Sequence, residues 1–213
     1  MRFHRLCAVT AMLVLAGMAA CSALVAQTED AIPMPSDRAQ DSYQIYSMLL
    51  PGEPFAQMSA QQTQRWAIAK ITINYEDMNP RIEPEAQLKA PPESLRAWRE
   101  TVHDYQVNKY IRVQLTNEPI RVNHSFTLLY PPEVSELRQA KSSTTADMAI
   151  QTKWAAYPGV TFFSEVYFNP KHTSALVYMN NWCASLCQAG TWVYLEKQNG
   201  SWVRRSGIAV PGA

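Results

Sequence analysis

Apolar residues recur along this chain at two different periods. Tyr43, Tyr46 and Leu50, with Ile45, Met48 and Leu49 beside them, form a wide stripe at helical spacing that Pro51-Gly52 stops. Leu95, Trp98, Val102 and Tyr105 recur at three, four and three residues, while Arg96, Arg99, Glu100, His103 and Asp104 fall elsewhere. This spacing predicts an amphipathic helix opened by Ser94, with His103 facing solvent. Pro131-Pro132 opens a third, polar helix running to about Ala140, and a fourth over residues 145–156 turns Ile150 and Trp154 inward with Met148 beside them, until Pro158-Gly159 ends it. The run Trp66 to Tyr75 behaves differently. Ala67, Ala69, Ile71 and Ile73 share a side and residues 71–73 are β-branched, so a strand is predicted. Shorter strands are expected over 111–115 and 125–130. Residues 77–92, with four prolines, read as loop.

Beyond Gly159 the period becomes two. Residues 159–182 read as a hairpin turning at Asn169-Pro170-Lys171-His172, and residues 191–205 as a second hairpin turning at Asn199-Gly200, a pair suited to a type I′ turn. A four-residue first turn sets Phe168 opposite Thr173, Val166 opposite Ala175, Ser164 opposite Val177 and Phe162 opposite Met179, a small apolar face expected to be core. In the second hairpin Lys197 opposes Trp202 and Leu195 opposes Arg204. The remaining sheet face mixes aromatic and charged residues: Tyr167, Tyr178, Trp192, Tyr194, Glu165, Glu196 and Arg205. Such a face binds a ligand by stacking if it is open, with its charges fixing orientation. If a helix covers it, it is core. A one-residue slip would exchange the faces. The expected fold is α+β, with N-terminal helices and one central strand packed on a C-terminal four-stranded antiparallel meander.

The ends place this domain. Arg2 and Arg5 precede an apolar, small-residue run over residues 6–20, the layout of an export signal rather than a membrane span. Met18-Ala19-Ala20-Cys21 resembles a lipobox, although the usual leucine three positions before the cysteine is Met18; the rival is cleavage after Ala26. The expected organisation is therefore a signal peptide over 1–26, or 1–20 with Cys21 lipid-modified, a flexible tether over 27–41, a single domain over 42–207 and a tail over 208–213. Residues 1–26 hold two of the chain's 19 basic residues and none of its 18 acids, so removing them leaves a net charge of −1. With no basic run, nucleic acid is not an expected partner. Membrane contact is expected only through a lipid on Cys21.

Chemistry-bearing motifs are few. Cys7 leaves with the signal, which leaves Cys183 and Cys187 as the thiols of the domain. In an exported protein such a pair oxidises, and three intervening residues in a turn fit the Cα separation of about 4.4–6.8 Å that a disulfide requires. The loop is so small that the bond contributes about 2 kcal/mol and mainly shapes the connection between hairpins. A zinc site needs further ligands, and His103, His124 and His172 are not at ligand spacing. A redox pair has two intervening residues rather than three. There is no G-x-S-x-G, no H-E-x-x-H and no dinucleotide fingerprint, and seven glycines in 213 residues leave no phosphate-binding loop. No catalytic, cofactor-binding or metal-binding residue is assigned.

Trp154…Tyr157-Pro158-Gly159, Phe163-Ser164-Glu165-Val166-Tyr167-Phe168-Asn169, Thr173-Ser174-Ala175-Leu176-Val177-Tyr178, Cys183…Leu186-Cys187…Gly190 and Leu195-Glu196-Lys197…Gly200-Ser201-Trp202 together resemble a recurrent pattern in exported bacterial proteins and lipoproteins. The resemblance implies a bacterial envelope location and one α+β unit. It implies no activity and no cofactor. The expected function is a non-catalytic envelope module that binds a small ligand or an envelope protein. A small periplasmic hydrolase with a cleft between helices and sheet is the alternative, and a thiol-redox or metal protein a third. Convergence of His103, His124 or His172 with a carboxylate would favour the hydrolase.

Overall fold

The two hairpins read from the sequence form the antiparallel half of a larger, mixed sheet. The computed structural model describes residues 31–50, 65–122, 125–142, 147–183 and 188–205. Its elements in order are β1 (Ala31–Pro33), α1 (Ser36–Leu49), β2 (Trp66–Ala69), α2 (Pro84–Gln87), α3 (Leu95–Asn108), β3 (Arg112–Gln114), β4 (Phe126–Leu129), α4 (Pro131–Ser142), α5 (Met148–Lys153), β5 (Val160–Phe163), β6 (Tyr167–Phe168), β7 (Ser174–Trp182), β8 (Gln188–Gln198) and β9 (Ser201–Arg204). The fold is α+β. Among the described residues the main sheet has seven strands in the order β4-β2-β5-β7-β8-β9, with β6 also on β7. β2 lies parallel to both β4 and β5, and from β5 onward every pair is antiparallel. The parallel pairs follow from the connections: β2 reaches β4 past α3, and β4 reaches β5 past α4 and α5, as parallel neighbours require.

The second hairpin has the expected register, Leu195 with Arg204 and Lys197 with Trp202. Asn199 and Gly200 both take positive φ (50° and 81°), as the type I′ turn requires. The first hairpin departs from expectation. Phe163, not Phe162, opposes Met179, whereas Tyr167 opposes Leu176 and Phe168 opposes Ala175. Four steps along one strand thus match three along its partner, so one extra residue bulges between Phe163 and Tyr167. The bulge turns Phe163 to the α1 side and sends Phe162 to the opposite face. Val166, Phe168, Ala175, Val177 and Met179 share a core, as the alternation predicts, and Phe163 takes the place expected for Phe162.

Two helical layers cover the sheet. On one face α1 buries Tyr43, Ile45 and Tyr46 against Ile68, Phe163, Val177, Leu195 and Trp202, and Val113, Leu115 and Ile120 close the same core. On the other, α3 packs Trp98 and Tyr105 on Tyr167, Leu176, Tyr178, Trp192 and Tyr194, while α4 and the α5 end pack Val134, Leu137 and Trp154 on Phe162 and Trp182. Residues of α3 and α5 that the pattern placed inward but which face solvent are Leu95 and Met148, the latter 79% exposed, each at the first turn of its helix.

Two boundaries differ from the sequence reading. Residues 31–41 were expected to be part of the tether, yet β1 pairs in parallel with β3 and α1 begins at Ser36. The reason is that Arg38 and Asp41, whose charges make the segment look solvated, find buried and partly buried partners described below. The strand expected over 66–75 ends at Ala69. Beyond it Thr72 donates its backbone N–H to Val113 and accepts that residue's N–H on its hydroxyl, and only Ile71 and Ile73 make isolated bridges. Residues 1–30, including Cys7 and Cys21, lie outside the described residues, as do His124, Cys187 and residues 206–213, which include the tail expected over 208–213.

Candidate functional site

The four aromatics expected on one face are brought together, but not as an open platform. Tyr167, Tyr178, Trp192 and Tyr194 are each at most 1% exposed. Tyr105 of α3 lies edge-on to Tyr167 and Trp192, both at 5.1 Å, and Trp98 edge-on to Tyr194 at 5.0 Å. The ligand-binding sheet face is thereby corrected to core: α3 carries an apolar stripe that must itself be covered, and each surface removes the other from water. Of the charged members, Glu165 lies in the bulge rather than on this face. Glu196 and Arg205 sit at its margin, where Arg205 Nε meets Glu196 at 3.3 Å and its terminal nitrogen meets Glu93. Ser94 does not cap α3 with its side chain; its hydroxyl donates to Glu196.

The bulge holds an ionic cluster. Arg38 donates two bonds to Asp104, 2.9 and 2.7 Å, and a third to Glu165 at 3.1 Å. Asp104 also accepts the Phe168 backbone N–H at 2.8 Å and the Asn108 amide at 2.8 Å. The Ser164 hydroxyl donates to the Glu165 carbonyl and accepts the Tyr178 N–H, and Tyr46 donates to the Ser164 carbonyl. One Glu165 oxygen has no partner among these groups, and the residue is 3% exposed. Burial pushes the Glu165 carboxyl up to about 7; Arg38 opposes the rise and Asp104 adds to it. The sign of the linkage follows. The fold holds the proton more tightly than the unfolded chain, so stability falls as pH rises from the ordinary glutamate value through about 7, by about 3 kcal/mol in all. Glu165→Gln removes the titrating group and leaves Arg38 on Asp104. Its melting temperature is expected to match the native protein near pH 4.5 and to exceed it by several degrees at pH 8, as calorimetry at the two pH values will show; equal gaps at both would refute this linkage.

A second cluster holds α1 to the hairpin turns. Asp41 accepts from Lys197 Nζ at 2.7 Å, Trp202 Nε1 at 2.9 Å and His172 Nδ1 at 3.2 Å, and the His172 ring stacks on Phe168 at 4.5 Å. Burial raises the Asp41 carboxyl, but bonds from Lys197, Trp202 and His172 outweigh it and hold it below the usual carboxylate range. Of the histidines weighed from sequence, His172 therefore meets a carboxylate, while His103 is exposed on α3. Asp41 is already shared among three donors, so the arrangement serves first as a clamp. Cys183, half-buried, directly follows β7. Among the described residues no three His, Cys, Asp or Glu side chains gather as a metal ion would require, and no helix is long and apolar enough to cross a membrane.

A third feature had a signal in the sequence that the pattern reading passed over. Val134, Leu137, Arg138 and Lys141 fall at i, i+3, i+4 and i+7 of α4, so the stripe that begins with buried Val134 and Leu137 continues as two cations. Arg138 places its guanidinium over Phe162, 4.9 Å from the ring centroid, and over Trp182 at 5.4 Å. Burial pushes both the Arg138 and Lys141 side chains down. Neither has a carboxylate partner among the described residues, because the nearby acids are engaged: Glu136 with Lys153, and Glu133 with the Tyr130 N–H. Asn180 lies directly across from Phe162, at the seam between the α3 and α4 cores, is 6% exposed, and has an unpartnered side-chain oxygen. On its other side stands Gly190, where a Cβ would meet the Tyr178 hydroxyl at 1.8 Å, so glycine is needed there for the tyrosine to lie across the strand. Comparison with protein-family models, curated proteins and solved structures finds no match to this chain.

Proposed function

We propose that this chain is an exported bacterial envelope protein that works as a binding module, not by turnover, either anchored through a lipid on Cys21 or released after Ala26, with Cys183 and Cys187 joined as a disulfide that shapes the loop between β7 and β8. The observation that carries the binding reading is Arg138: a cation laid over two aromatic rings, with no carboxylate partner among the described residues, suits recognition rather than proton transfer. The signal-like N-terminus and the resemblance of the C-terminal third to exported proteins support the location. A hydrolase reading finds its best support in the His172–Asp41 pair, but there the carboxylate also holds Lys197 and Trp202.

The test is mass spectrometry of the mature protein recovered from its native envelope. Under native conditions, with the small molecules extracted from that envelope added back, one of them is expected to bind the chain and to be recovered unchanged. Denatured, the chain is expected to begin at lipidated Cys21 or at Gln27, with Cys183 and Cys187 alkylated only after reduction. Release of the small molecule as a cleaved product would overturn the binding reading in favour of the hydrolase. Thiols free before reduction would end the disulfide proposal.

A further inference from the structure

The Arg138 corner carries a specific ligand chemistry. A cation that only compensates the carbonyls at the C-terminal end of a helix has no need of aromatic rings beneath it. Arg138 is a full turn before the end of α4 and lies over Phe162 and Trp182. The rings hold its face, and its N–H groups have no acceptor among the described residues, although the residue itself is exposed. A guanidinium held in this way is prepared for a planar anion that accepts two parallel bonds. Lys141, three residues along the same stripe, adds a second charge that has no carboxylate partner among the described residues. Asn180 adds the opposite requirement: its buried oxygen lacks a donor, and a buried acceptor without a partner carries a desolvation cost that a ligand hydroxyl or ammonium relieves. Phe162 and Trp182, each 8% exposed, supply the apolar floor.

We propose that Arg138, Lys141, Phe162, Asn180 and Trp182 form a site for a small carboxylate-bearing molecule that also carries a hydrogen-bond donor, the chemistry shared by uronic acids and amino acids. This rests on the binding reading above and names its ligand class. Arg138 takes the carboxylate, Lys141 strengthens the local positive field, and Asn180 accepts from the donor and so favours hydroxy or amino acids over simple carboxylates.

The experiment is isothermal titration of the mature full-length chain at low ionic strength with glucuronate, D-alanine, acetate and glucose. Glucuronate or D-alanine is expected to bind with a Kd of about 0.1–1 mM, a range fitting one charged contact and one donor. Tighter binding of the first assigns the sugar acid as the source, of the second the amino acid. Acetate is expected to bind more weakly than either. Arg138→Met, which keeps the stem over the rings, is expected to weaken binding about tenfold or more, Arg138→Lys by less, and Lys141→Gln by about threefold. Unchanged circular dichroism and melting temperature show that each variant folds. Binding of glucose as tight as that of glucuronate, unaffected by Arg138→Met, would overturn the ligand class and leave the binding reading standing. Absence of saturable binding of both acids would overturn the site. Conversion of a probe during titration would instead overturn the binding reading itself.

Discussion

Arg38→Met is expected to destabilise the protein by about 3–5 kcal/mol at pH 8, the cost of leaving buried Glu165 and partly buried Asp104 without their cation. Arg38 is the only group on α1 that bonds both Asp104 of α3 and Glu165 of the bulge, so it ties together helices on opposite faces of the sheet. The loss should depend on pH. Below about 7 Glu165 takes up a proton and no longer needs the guanidinium, so the same substitution should cost markedly less at pH 5.5. The double variant Arg38→Met/Glu165→Gln should recover part of the loss at pH 8 and little at pH 5.5. Urea denaturation of the four proteins forms a double-mutant cycle, and a coupling that does not change with pH would show that Glu165 is not the group responsible.

Trp192→Ala is expected to have an effect of similar size, about 3–5 kcal/mol, through packing rather than charge. The residue is 1% exposed and sits at the centre of the α3 core, with Tyr105 at 5.1 Å, Tyr178 at 5.3 Å and Tyr167 at 6.3 Å. Its indole N–H donates to the Ile82 carbonyl at 2.8 Å, and its backbone N–H to Gln87 at 2.9 Å, which pins α2 to β8. Truncation leaves a cavity that three rigid rings cannot close and a carbonyl without its donor. Trp192→Phe keeps most of the ring and loses the hydrogen bond, so it should cost distinctly less. Equal losses for the two substitutions in urea titrations would mean that the hydrogen bond, and not the packing, dominates. The result also bears on the aromatic face. A ligand platform tolerates loss of one stacking ring with little change in stability, whereas a closed core does not.

What the sequence by itself determined follows from local periodicity. Period two and the Asn199-Gly200 turn set the register of β8 and β9 correctly, because a two-residue loop leaves the pairing no freedom. Period 3.6 located α3 and its buried Trp98 and Tyr105, and kept His103 on the solvent side. Alternation placed Val177, Val193 and Leu195 on one face and Tyr178, Trp192 and Tyr194 on the other. All of these are decided within one element or one turn.

Tertiary structure decided the rest, because the deciding partners lie far apart in the chain. Arg38 is 66 residues from Asp104 and 127 from Glu165, so nothing local distinguishes it from a solvated charge, and the helix around it reads as tether. The extra residue between Phe163 and Tyr167 has no compositional mark. It becomes visible only when the β7 register is known, and it exchanges the faces of Phe162 and Phe163. Parallel pairing of β2 with β4 and β5 depends on where the crossover helices return the chain. Whether the aromatic face was a surface or a core turned on α3 lying across it, since an apolar sheet face looks the same in sequence whether water or a helix covers it. The cations of α4 are the intermediate case. Their places on the apolar stripe are legible in the sequence, but that Arg138 rests on Phe162 and Trp182, with no carboxylate partner for either cation among the described residues, is a property of the assembled sheet.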